Sequence, residues 1–263
     1  MATELRTLGP ADLVDTDDAW PVTDRQVRHD GAIFATVTER IRTPDEGEIT
    51  RDWVAHDGAV GVIALDEDDR VVLIRQYRHP VRSRLWEPPA GLLDVDGEPY
   101  VTAAARELAE EAGLAATDWH ELVEVMTSPG MTSERVRIFL ARGLSPAPAP
   151  DGFRAEGEEA HLEVGRAALD DVVTAVLGGR VHNPLLVSGA LAASTARARG
   201  WTDLRPATDA SPVSGRTPAR SSSEVEAGPR GGRPSSEVDA GPRGGRRSSE
   251  VGTDRPDPGR PRS

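Results

Sequence analysis

The residue types best suited to chemistry stand in one stretch, Gly91-Leu-Leu-Asp-Val-Asp-Gly-Glu98-Pro-Tyr-Val-Thr-Ala-Ala-Ala-Arg106-Glu107-Leu-Ala-Glu110-Glu111-Ala-Gly113-Leu114. Glu107, Glu110 and Glu111 follow one another at spacings that make them neighbours on a helix. Carboxylates that close repel one another unless a positive charge sits among them. An oxygen-preferring divalent cation resolves the conflict, and Mg²⁺ takes one or two carboxylates and completes its shell with waters and substrate phosphates. The plain alternative is a solvated acidic helix face. The glycine loop and Arg106 weigh against it.

The element that must position these groups is a short helix. Pro99 suits the first helical position, because its missing N–H and fixed φ cost nothing there, and Gly113 suits the αL stop. At about 100° per residue, Val101, Ala104, Ala105, Leu108 and Ala112 share a stripe expected to pack on a sheet. Glu107 and Glu111 then fall roughly 80–120° round from the stripe, on the border with solvent, and Glu110 lies opposite. The spacing thus predicts a site at the helix border.

Arg106-Glu107-Leu108-x-Glu110-Glu111-x-Gly113-Leu114, with Glu98 upstream of it and Gly91 before that, resembles the Nudix box. The family usually places five residues between the glycine and the first glutamate, and here there are six. A one-residue lengthening of the loop at Asp94-Val95-Asp96-Gly97 accounts for this and leaves the helical half in register. The resemblance implies an α/β Nudix fold, an α+β sandwich with a mixed sheet between helices. It also implies that Glu107 and Glu111 are metal ligands, that Glu110 is a further or water-linked ligand, and that Arg106 orients a carboxylate such as Glu98.

Composition bounds the remaining possibilities. At 263 residues, one substantial domain with an appendage is expected. No hydrophobic run approaches a membrane span, and the N-terminus has neither a basic start nor an apolar segment, which predicts a cytoplasmic protein. Without cysteine there is no thiolate chemistry and no cysteine zinc site. Every basic side chain is arginine, so a Schiff-base lysine is excluded. From Leu204 onward there are 11 Arg against 8 Asp and Glu, so the net charge of −13 leaves the rest near −16. Such a body argues against general nucleic-acid binding, which needs excess Arg and Lys.

Along the chain, residues 1–20 read as a loose lead-in. Residues 32–42 and 48–55 alternate as two strands about a Pro-Asp-Glu-Gly turn and predict an N-terminal antiparallel β subdomain over residues 1–57. In the ADP-ribose-type members of the family such strands are exchanged across a homodimer, and Arg51 on the second of them is a candidate substrate-binding residue. Two apolar runs, 58–65 and 71–78, read as a hairpin entering the central sheet. Arg75 and Arg78 close the second run with two guanidinium forks suited to phosphate or carboxylate.

Leu85-Trp86-Glu87-Pro88-Pro89-Ala90-Gly91 is a stiff approach to the helix, and it resembles the lead segment of ADP-ribose pyrophosphatases. That likeness implies that the Ala90 carbonyl is a metal ligand and that Glu87 contacts substrate. Two more strands flank Thr127-Ser-Pro-Gly-Met-Thr-Ser-Glu134. Pro129 lies 16 positions beyond Gly113, within Ser-Pro-Gly130, and resembles the mark of the ADP-ribose branch. Pro129 and Gly130 are therefore candidate substrate-binding residues.

The Glu156–Glu159 segment, on a loop before a strand, is a sensible carrier for a general base, which must reach a water. By resemblance to actinobacterial-type ADP-ribose pyrophosphatases, Glu159 is favoured and Glu158 is the alternate. His161 reads as an exposed loop residue. Two helices follow, over 167–177 and from Asn183, on the sheet face opposite the first helix, and end the Nudix domain at residue 202. Beyond it, Ser-Ser-Glu-Val recurs every 13 residues from Ser222, and one valine per unit cannot offset ordering entropy, so residues 203–263 are expected to be disordered.

The resemblance implies hydrolysis of the ADP-ribose pyrophosphate bond to AMP and ribose 5-phosphate with Mg²⁺, or Mn²⁺ in its place. Other nucleoside diphosphate sugars such as GDP-mannose remain alternatives, because the box sets the chemistry and not the leaving group. The rival class is a non-catalytic ADP-ribose-sensing regulator. Such proteins have an eroded box, whereas every helical-half position is present here.

Overall fold

The computed structural model describes residues 5–95, 97–148 and 162–208, all within one compact unit. Glu158, Glu159, His161 and the repeats beyond Ser222 lie outside the described residues.

The N-terminal strands β1 (Val22–Asp30), β2 (Phe34–Arg42) and β3 (Glu48–His56) form an antiparallel sheet in that order. β1 is a third strand beyond the two that the alternation predicts. Every residue of it is exposed, so no in-and-out pattern marks its start. Ala35, Val37 and Ala55, with Trp53 against them, make a small core for this sheet.

The body of the fold holds two further sheets. β4 (Ala59–Ala64), β7 (Ala90–Leu92), β9 (Asp118–Met126), β10 (Arg135–Arg142) and the short β13 (Arg205–Pro206) form a mixed sheet ordered β13-β9-β10-β4-β7. β10 runs parallel to β4 and antiparallel to β9. β5 (Arg70–Arg78), β6 (Ser83–Glu87) and β12 (Glu163–Ala168) form an antiparallel sheet ordered β12-β5-β6. The hairpin expected from residues 58–78 is therefore not a paired hairpin. β4 and β5 enter different sheets and share a single bridge, Leu65 to Val71. Both runs are apolar on both faces, so neither carries a pattern that selects its partner.

The helices cover the sheets from two sides. α1 (Tyr100–Ala112) buries Ala103, Ala104 and Leu108 against Val60, Val62, Val72 and Phe139. α2 (Leu169–Leu177) and α3 (Pro184–Ala198) pack on the opposite face with Ile63, Leu73, Ile138 and Leu140. The arrangement is the expected mixed sheet between helices. Asn183 caps α3, its side chain accepting from the Leu185 and Leu186 N–H groups at 2.9 and 3.0 Å. A two-residue pair, β8 (Leu114–Ala115) with β11 (Ser145–Pro146), follows the end of α1.

Candidate active site

The helix that carries the carboxylates starts one residue later than expected, with Pro99 as N-cap and Tyr100 as first helical residue. Gly113 ends it at φ 64°, the left-handed conformation that a residue without Cβ adopts freely. The buried face is also turned relative to the expected stripe. It comprises Tyr100, Ala103, Ala104, Glu107 and Leu108, so Glu107 lies inside the packed face and not on its border. Gly91 makes this possible. A Cβ placed there would stand 2.0 Å from the Glu107 carboxyl carbon, so only glycine leaves the cradle open.

Arg106 gathers the acidic groups. Its Nε and Nη2 donate to the two oxygens of Glu98 at 3.3 and 3.1 Å, and its Nη1 donates to Glu107 at 2.6 Å and to Glu110 at 3.4 Å. Asp94 stands 3.7 Å away. Glu98 thus meets Arg106 despite the longer loop, which closes on itself through the Glu98 N–H to the Val95 carbonyl at 3.1 Å. Burial pushes the Glu107 carboxyl up to about 7; Arg106 pulls it back, while Glu110 and Asp94 push it further. Burial alone would lower the Arg106 guanidinium, but Glu98 and Glu107 more than offset it and hold it above its ordinary value.

Glu111 is held from the other side. Its Oε2 accepts the Ala90 N–H at 2.8 Å, which ties the carboxylate to β7. Just upstream, Glu87 is 1% exposed and fully engaged. Arg78 donates to it at 2.6, 3.0 and 3.2 Å, and Gln76 at 3.3 Å. Glu87 therefore holds Arg78 in a fixed direction. Gln76 was not singled out from the sequence, although its spacing of two from Arg78 puts both on one face of a strand.

Arg75 does not join them. Alternation sends it to the other face of β5, where its guanidinium lies 5.5 Å from the Trp86 ring and 3.5 Å from Glu163. The two guanidinium forks expected side by side therefore lie on opposite faces of β5, because residues three apart on a strand face opposite ways. On that same side an apolar hollow of about 310 Å³, lined by Leu73, Trp86, Val172 and Leu186, lies beneath α2. It is across the sheet from Glu107 and Glu111.

The Pro129 loop is fastened to the N-terminal sheet. The Val54 N–H donates to the Met131 carbonyl at 2.8 Å and the Ser133 N–H to the Val54 carbonyl at 3.0 Å. The Ser133 hydroxyl accepts the His56 N–H at 3.0 Å and donates to the His56 carbonyl at 3.3 Å. Pro129 and Gly130 stand exposed at the loop's tip. Arg51 remains within β3, donating to the Thr50 carbonyl at 2.9 Å.

Among the described residues no three carboxylates or imidazoles converge into a finished cage. The donor set nevertheless suits a hard cation that keeps waters and phosphate oxygens in its shell. Glu107 and Glu111 are oxygen donors held on protein N–H groups at 2.6 and 2.8 Å, within reach of the Gly91 cradle and of β7.

Comparison with known proteins agrees with this geometry. The NUDIX domain model matches residues 55–177. An ADP-ribose pyrophosphatase of Mycobacterium tuberculosis is 43% identical over 178 residues, covering 68% of this chain and 84% of that protein. An ADP-ribose pyrophosphatase of Bacillus subtilis is 32% identical, covering 58% of this chain and 80% of that protein. A GDP-mannose pyrophosphatase of Cronobacter sakazakii is 33% identical, covering 44% and 65%. A crystal structure of an ADP compounds hydrolase superposes with a TM-score of 0.58 at 21% identity, covering 71% of this chain and 99% of that one, and shares the fold. With its complete box helix, its glycine cradle and these relatives, the chain belongs to the Nudix hydrolase family and is of the ADP-ribose pyrophosphatase type.

Proposed function

We propose that this Nudix hydrolase cleaves the pyrophosphate bond of ADP-ribose to AMP and ribose 5-phosphate, with Mg²⁺ as its metal and Mn²⁺ as a substitute. The observation that carries the substrate is the 43% identity to the mycobacterial ADP-ribose pyrophosphatase across most of its length, together with the Ser-Pro-Gly loop fastened to β3 of the N-terminal sheet. Glu107 and Glu111, with Glu110 and the Ala90 carbonyl, are the groups that would hold the metal. In an extended strand the N–H and C=O of one residue point to the same edge, so the Ala90 N–H bonded to Glu111 supports a carbonyl aimed toward the site. Bound there, a divalent cation supplies Lewis-acid polarisation of the diphosphate and a water of lowered pKa.

The chain's own groups do the rest. Arg106 holds Glu98 and sets how much of its charge is left for Glu107. Arg78, fixed by Glu87, presents a guanidinium of defined direction to an anionic group of the substrate. Pro129 and Gly130 shape the substrate side of the pocket, and Arg51 reaches it from the N-terminal strands of a homodimer. Glu159, or Glu158 beside it, takes the proton of the attacking water. A cytoplasmic location is part of the same proposal. No helix among the described residues is long and apolar enough to cross a membrane.

A substrate panel of ADP-ribose, other ADP-sugars and GDP-mannose, run with Mg²⁺ and with EDTA, tests this directly. ADP-ribose should be turned over fastest, AMP and ribose 5-phosphate should appear by chromatography, and EDTA should abolish the reaction. Glu111→Gln should lower the rate by at least about 100-fold without loss of folding, since even outer-shell partners of metal ligands are worth 10- to 100-fold. Faster turnover of GDP-mannose would move the substrate to the alternative suggested by the Cronobacter relative. Wild-type rates in Glu111→Gln would sink the metal assignment.

A further inference from the structure

The site depends on where the first turn of α1 stands, and no capping side chain holds that turn. Its N-cap, Pro99, offers no side-chain bond to the orphan N–H groups, and the turn carries no acidic residue to meet the helix dipole. The restraint comes from the sheet instead. Tyr100 is 8% exposed, and the Arg137 guanidinium lies 4.2 Å from the centroid of its ring. Arg137 is itself fixed, donating to Glu124 at 2.9 and 3.1 Å and to Glu121 at 3.2 Å. Those glutamates are braced in turn, Glu124 by Arg135 at 3.0 Å and Glu121 by Arg205 at 3.2 Å. A guanidinium held over a ring face is attracted by the ring quadrupole, the more so as water is excluded. At 18% side-chain exposure, Arg137 is largely shielded.

We propose that Arg137 and Tyr100 are positioning residues for the metal-binding carboxylates, an inference that rests on the metal reading above. The contacts form a short series. Tyr100 anchors the segment that contains Glu98, two residues before it. Glu98 holds Arg106 at 3.1 and 3.3 Å, and Arg106 holds one oxygen of Glu107 at 2.6 Å. A cation that takes Glu107 must compete with Arg106 for that oxygen, and a well-placed Glu98 keeps the guanidinium occupied. Loosening Tyr100 lets Glu98 drift, leaves Arg106 committed to Glu107, and weakens the cation while the helix persists.

The test is Mn²⁺ binding to the full chain without substrate, followed by electron paramagnetic resonance, beside the Mg²⁺ dependence of hydrolysis. Tyr100→Leu keeps the apolar burial and removes the ring face. It should weaken Mn²⁺ by about tenfold, at the lower end of what outer-shell partners of metal ligands are worth, and raise the half-activating Mg²⁺ by the same factor. Its kcat at saturating Mg²⁺ should stay within about twofold, because a positioning residue acts on binding and not on the step itself. Tyr100→Phe, which keeps the ring, should restore wild-type values in both measurements. Arg137→Lys, checked for folding by circular dichroism, should weaken Mn²⁺ in the same direction if Tyr100→Leu does not fold. Wild-type Mn²⁺ affinity in a folded Tyr100→Leu or Arg137→Lys would overturn the proposal alone. A wild-type chain that binds no Mn²⁺ would overturn the metal reading and the proposal with it.

Discussion

Glu107 is a carboxylate on the packed face of its helix, and its position explains both its chemistry and its cost. Burial raises its pKa to about 7 from an ordinary 4.5, so the metal-free folded chain keeps this proton to a higher pH than the unfolded chain does. The sign follows from linkage. A folded pKa above the unfolded one contributes stability that is fully present below about pH 4.5 and is lost as pH rises through about 7. At 1.36 kcal/mol per unit the loss reaches up to about 3 kcal/mol. Urea unfolding in EDTA should therefore show the wild type losing stability relative to Glu107→Gln between those pH values, and Mg²⁺ at high pH should recover it. Parallel pH curves for the two proteins would show that Glu107 is not the titrating group. The turned stripe was not visible in sequence because a periodicity count scores glutamate as polar, while the space that admits it comes from Gly91, on another element.

At the scale of elements, the Pro129 loop and β3 behave as one piece. Ser133 is the fastener, its N–H bonded to the Val54 carbonyl and its hydroxyl serving both the N–H and the carbonyl of His56. Ser133→Ala removes two side-chain bonds and keeps the backbone one. If the loop shapes the substrate side of the pocket, KM for ADP-ribose should rise about fivefold, the equivalent of roughly 1 kcal/mol for a lost hydrogen bond. Steady-state kinetics should then find kcat and the half-activating Mg²⁺ unchanged. An unaltered KM would mean that the backbone bonds alone fix the loop. Strand alternation likewise separates the two arginines of β5. Arg78 shares its face with Gln76 and Glu87, whereas Arg75 stacks toward Trp86 on the other side. That division was legible in the period of two, once residues 71–78 were read as a strand.

At the scale of the whole molecule, the N-terminal sheet leaves Val22, Val27 and Phe34 about half exposed. In the proposed homodimer a second copy covers that surface, and light scattering should give twice the 28.1 kDa chain mass. Val27→Asp should shift the distribution toward monomer, and a monomeric wild type would remove the dimer from the proposal. The sequence by itself determined the family, the carboxylate-bearing helix to within one residue at its start, the α3 cap at Asn183, and the pairing of Arg106 with acidic groups. All of these are local patterns, written in residues close together along the chain. The tertiary structure decided what depends on distant partners: that β4 pairs in parallel with β10 and not with β5, that Gly91 admits Glu107 to the core, that Glu87 serves Arg78, and that Arg137 seats Tyr100. Strand partners and side-chain neighbours across a sheet are chosen by packing between segments, and a single segment carries no record of what it will pack against.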